Sequence, residues 1–281
     1  MTVDDREMFE ILKYTFFQNA LAGGLLASIV CGLVGTYIVT RRLVFISGGI
    51  THASFGGVGL GVFLGINPIV SAMVFAIASA CGVEWMSGKK TVREDSAIAL
   101  FWTLGMSVGI ICCFLTPGFM PDLPSFLFGN ILTIGTADLV LLASLSVAVV
   151  TLFSLFGDTV MSVAFDPVFA RTQNLPVKLI EYVMMALIAM TIVATLRLVG
   201  IVLAISLLTI PQMTANIFVS RFRPMAWLSV LFAAVYCIAG LVVSYMLNVP
   251  SGASIIFVSI LAYGMMKRLK TEKWNNLLNR Q

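Results

Sequence analysis

Charge is what this chain of 281 residues has least of: Asp, Glu, Lys and Arg make up 11% of it, against about 25% in a soluble domain. Apolar residues fill 59%, and the mean hydropathy is +1.03. That balance excludes a water-soluble core with a polar coat. It also excludes a disordered chain and a nucleic-acid binder, despite the net charge of +4. Histidine is nearly absent too, with a single copy, His52. No CxxC pair exists among Cys31, Cys81, Cys112, Cys113 and Cys237, which sit in apolar stretches and read as small buried hydrophobes. There is no GxxxxGK[ST] loop, no HExxH and no nucleophile set beside a base, so the chain reads as neither an ATPase nor an intramembrane enzyme. Paired intramembrane carboxylates of the kind that drive proton-coupled carriers are not evident. Acidic residues 4, 5, 7 and 10 and the lack of a basic start argue against a cleavable signal peptide.

What is present is hydrophobic runs of membrane-spanning length, each needing about 20 residues. They fall near 16–40, 44–65, 68–86, 96–116, 137–157, 179–196, 198–219, 225–247 and 253–266. The expected fold is therefore all-α, a polytopic bundle of eight or nine spans forming one permease domain over 1–281. The sixth and seventh runs are separated only by Arg197-Leu198-Val199-Gly200, and Pro211 interrupts the seventh, so one of them is a candidate broken or re-entrant helix. Counting basic residues on alternate sides places 14 of 17 on one side, which is then cytoplasmic. The C-terminal tail 267–281 and the loop 158–178 fall inside. With nine crossings, segment 1–15 falls outside. Also outside is a connection of about twenty residues, Thr116 to Thr136, whose Pro117–Pro124 stretch cannot be regular helix. It reads either as a vestibule or as a capping loop.

Two segments carry the functional signal. In the second span, Gly49, Ala53, Gly57 and Gly61 form a small-residue stripe suited to close helix approach. Gly48, His52, Gly56 and Gly59 share the neighbouring face. His52 lies about 8 residues from the cytoplasmic end, roughly 12 Å deep. An ionisable group at that depth is a functional candidate, neutral imidazole suits zinc and similar metals, and glycines beside it leave room for an ion. The competing reading is a histidine bonded to a neighbouring helix. Ser47 and Thr51 are further candidate oxygen ligands. In the loop, Asp166 can cap a helix, Pro167 suits its first position, Asn174 can adopt a left-handed stop and Pro176 prevents continuation. The expected helix of about two turns presents Phe165, Val168 and Phe169, with Arg171 beside them, to a partner protein or to the lipid surface.

These pieces, in order, resemble the membrane permease subunit of ABC importers for zinc, manganese and iron. The resemblance rests on Arg41-Arg42-Leu43 with Ser47–Gly61, Asp95–Ala99, Leu127–Leu132, Asp166–Pro176, Val199–Ala215 and Pro250–Ala253. It implies a homodimer of permeases in the inner membrane of a prokaryote, cytoplasmic ATPase subunits and an external metal-binding protein. It also implies that His52 lies on the ion path, with Gly48, Gly49, Gly56 and Gly57 packing around it, and that Asp166, Val168, Phe169 and Arg171 belong to the coupling helix. No cofactor is expected on the chain; the divalent metal is cargo, and zinc is the first expectation. The sequence departs from the family in three places: Gly48 stands where an acidic residue is common, Asn130 replaces another acid while keeping an oxygen, and Val168 replaces an acid in the loop. The rivals are a permease for a metal chelate or vitamin and a secondary transporter without an ATPase.

Overall fold

Among the described residues, ten helices follow one another: α1 (Thr15–Thr40), α2 (Val44–Leu64), α3 (Pro68–Gly88), α4 (Glu94–Leu115), α5 (Thr136–Phe165), α6 (Pro167–Thr172), α7 (Val177–Leu207), α8 (Ile210–Phe218), α9 (Phe222–Leu247) and α10 (Ser251–Leu278). They belong to a computed structural model that describes residues 14–88, 92–117 and 134–278, with the backbone alone at 197–199 and 272–278. Among the described residues there is no strand. Eight helical segments among the described residues are long and apolar enough to cross a membrane, and the 21-residue α2 packs between two of them, α3 and α4.

The joints explain the order. Arg42 takes a left-handed φ of 60°, and Leu43 N–H donates to the Ile38 carbonyl at 2.8 Å, closing α1 and starting α2 within three residues. At the other end of α2, Gly65 (φ 66°) stops the helix and Pro68 opens α3. Inside α7, Gly200 has φ 73° and ψ 174°, a backbone that only glycine adopts readily, and it splits Val177–Leu196 from Gly200–Phe218. The chain turns back there. Glu181, near the start of α7, lies beside the end of α5, and Ile217 at the end of α8 accepts from Lys270 near the end of α10. The expected broken helix thus takes the form of a split α7 followed by a second break at Leu208–Thr209, before Pro211 in the first turn of α8.

Two expected boundaries shift. The loop expected at 158–178 begins later, because α5 runs on for two further turns to Phe165, with Val160 and Val163 buried and Asp158 paired to Arg223 at 2.9 Å. The basic tail expected from 267 continues α10 as helix rather than leaving it. The core runs through α1, α5, α7 and α9, with Tyr37, Tyr236, Met184 and Ile188 among its largest fully buried side chains.

Candidate ion path around His52

The environment of His52 follows from how α2 meets its neighbours. A Cβ added at Gly56 would lie 2.7 Å from the Gly105 carbonyl oxygen, and at Gly59 2.5 Å from that of Gly109. On α4, Gly105 itself faces the Cα of Ala53 at 2.5 Å on the same construction. Helices α2 and α4 therefore touch backbone to backbone. Gly57 does the same against Ala72 and Ser71 of α3, and Gly49 leaves room only for Ile98. The expectation that Gly56 and Gly59 hold space open for an ion is corrected here: α4 fills both positions. Gly48 differs. A Cβ there would meet nothing within 4 Å except Ile205 Cδ1, at 3.8 Å.

His52 is half-buried and lies flat on Trp102 of α4, ring centroids 4.5 Å apart and planes 4° from parallel. Phe45, about two turns earlier, flanks the same indole at 5.9 Å. The stack covers one face of the imidazole and leaves its edge, where both nitrogens lie, without a hydrogen bond among the described residues. Trp102 escaped the sequence reading, because a ring stack between residues fifty apart leaves no local pattern. Ser47 and Thr51 are fully buried, and their hydroxyls donate to the Val44 and Ser47 carbonyls of their own helix. Neither opens toward the space at Gly48. Asn130 and the rest of 118–133 lie outside the described residues. No group of three His, Cys, Asp or Glu suited to a metal ion occurs among the described residues, which present a lone imidazole rather than a closed cage.

The helix α6 forms as its residues dictate. The Asp166 carboxylate accepts from Val168 N–H at 3.0 Å and Phe169 N–H at 2.9 Å, and Pro167 occupies the first position. Asn174 stops it at φ 56°. Val168 is 69% and Phe169 56% exposed, Arg171 is exposed, and Ala170 beneath them is fully buried.

Sequence reasoning also missed a charged cluster at this end of the bundle. Arg41 pairs with Glu181 at 3.0 Å, the two side chains 16% and 8% exposed. Buried Glu84 lies within electrostatic reach of Glu181, Arg41, Glu94 and Arg171. Burial alone would lower the Arg41 pKa, but Tyr37 and Glu181 outweigh it and hold the guanidinium above its ordinary value, so it stays charged. Glu84 and Glu181 sit at helix ends and share this arginine, so they are not the paired intramembrane carboxylates of proton-coupled carriers.

A family model described as the ABC 3 transport family matches residues 13–267. The chain belongs to the ABC 3 transport family. This is the permease family of the ABC importers that its motifs resemble, so the chain is a multi-pass membrane subunit and ATP hydrolysis falls to another chain. An uncharacterized membrane protein of Synechocystis, slr2045, is 41% identical over 91% of each chain. The manganese transport system membrane protein MntC of Halalkalibacterium halodurans is 32% identical over 89% of this chain and 86% of its own. PsaBC from Streptococcus pneumoniae, solved in complex with Fab, superposes at a TM-score of 0.82 with 28% identity, over 94% of this chain and 95% of that one. As an ABC 3 permease, the chain does not fit the secondary-transporter rival.

Proposed function

We propose that this chain passes manganese across a bacterial inner membrane, as the permease of an ATP-driven importer, with His52 on the ion path. The observation that carries this reading is the imidazole one turn from the Gly48 opening, stacked on Trp102 with its nitrogens unbonded among the described residues. Manganese replaces zinc as the first choice because the MntC relative is named for manganese transport. A second reading, zinc, is favoured by Gly48 itself, since loss of the hard carboxylate leaves a softer donor set.

In this reading two copies of the permease enclose the path, and each contributes an imidazole. An external binding protein delivers the ion. The basic end of the bundle, carrying Arg41, Arg171, Arg223 and Lys270, is cytoplasmic, where α6 meets the ATPase through Val168, Phe169 and Arg171. Asp166 keeps α6 helical. ATP-driven movement of α6 then alternates the exposure of the His52 face between the two sides.

The test is uptake of radioactive manganese into proteoliposomes holding the permease, its ATPase and its binding protein. Equimolar zinc should leave manganese uptake largely intact. Preferential zinc uptake would move the assignment to zinc, and uptake of a metal only as its chelate would replace both.

A further inference from the structure

The Arg41 cluster lies outside the ion path, and its connections are unusual. Arg41 Nη1 donates to the Glu181 carboxylate at 3.0 Å and to the Val163 carbonyl at 3.5 Å. Val163 is three residues before Asp166, which caps α6, and Glu181 is five residues after Pro176, which follows it. One guanidinium thus holds the chain on both sides of the α6 loop. On its own chain, Arg41 is the closing residue of α1, and the turn to α2 is only Arg41–Leu43, fixed by the left-handed Arg42 and the Leu43–Ile38 bond. A displacement of α6 therefore reaches α2 through three residues and two hydrogen bonds. Buried Glu84 of α3 lies within electrostatic reach of the same guanidinium and of Glu181, Glu94 and Arg171, the last on α6 itself.

We infer that Arg41, held by Glu181, is the positioning residue that transmits movement of α6 to the helix carrying His52. A purely structural ion pair would support the fold without setting how much cargo moves per ATP. This inference rests on α6 being the ATPase contact, so the experiment treats the two separately.

In proteoliposomes containing permease, ATPase and binding protein, manganese uptake and ATP hydrolysis are measured together. Arg41→Gln and Glu181→Gln should keep hydrolysis within about twofold of wild type while manganese moved per ATP falls about tenfold. The reciprocal swap, Arg41→Glu with Glu181→Arg, should recover most of that ratio. An unchanged ratio in the single variants would overturn the inference. If a single variant fails to assemble, the paired Arg41→Leu, Glu181→Leu replacement removes both charges together and leaves neither unpaired. A wild-type ratio in that assembled variant overturns the inference equally, and a fall supports it. Phe169→Asp separates the underlying reading: it should release the ATPase from the permease, whereas the Arg41 variants should retain it. An ATPase that stays bound to Phe169→Asp would defeat the α6 assignment without touching the ratio measured for Arg41.

Discussion

An imidazole binds metal only in its neutral form, so protons compete with the cargo at His52. Protonation occupies the same nitrogen lone pair, and the loss appears as pH falls. Manganese uptake should be highest at neutral pH and decline as acid protonates the imidazole. A rate independent of pH between about 5 and 8 would argue against direct ligation. The neighbour at Gly48 sets the second residue-scale expectation. Because that position is open, Gly48→Asp introduces a carboxylate one turn from His52 without displacing a helix. The manganese-to-zinc uptake ratio should rise in that variant, since a hard oxygen donor favours manganese. A ratio unmoved by the carboxylate would place the cargo away from this face.

At the scale of elements, the contact between α2 and α4 is the least forgiving. Gly56→Val must push against the Gly105 carbonyl oxygen, which already lies 2.7 Å from where its Cβ would be. Overpacking of this kind costs about 1–3 kcal/mol, and thermal unfolding in detergent should show it, while Gly48→Ala should not. Gly200→Ala carries a different penalty, about 1–3 kcal/mol from its φ of 73° with ψ 174°, and should destabilise even though no neighbour need be struck. An unshifted unfolding temperature for Gly200→Ala would mean that the split in α7 is not there. These cases also show what was legible in the sequence. The ends of α6 were readable because capping is local: Asp166, Pro167 and Asn174 act within a few residues of themselves. The small-residue stripe of α2 was readable as a packing face. Which of the two glycine faces α4 would occupy was not, because Gly56 and Gly59 look the same whether they meet a helix or an ion. Trp102 and the Arg41–Glu181 pair are tertiary, joining positions fifty and 140 apart, and periodicity says nothing of such partners.

For the whole molecule, the apolar composition dictated a helical bundle, since only helices or closed barrels satisfy their backbone in lipid. Long runs without period-two alternation favour helices. The breaks at Gly200 and Pro211 were visible as punctuation, but the return of the chain between them depends on contacts with α1 and α10, including the Gln212 side chain donating to the Cys31 carbonyl at 2.7 Å. Charge asymmetry placed the basic residues on one side, and the pairs Arg41–Glu181 and Arg223–Asp158 gather at one end of α5. The account as a whole depends on cargo passing His52 under the control of a separate ATPase. The most direct measurement is ATP-dependent manganese uptake by the reconstituted importer carrying His52→Ala, with permease assembly and ATPase binding verified in the same preparation. Uptake should fall by about tenfold or more, the usual scale for removing a metal-site group, while the complex remains intact. An assembled His52→Ala importer that moves manganese at the wild-type rate would contradict it.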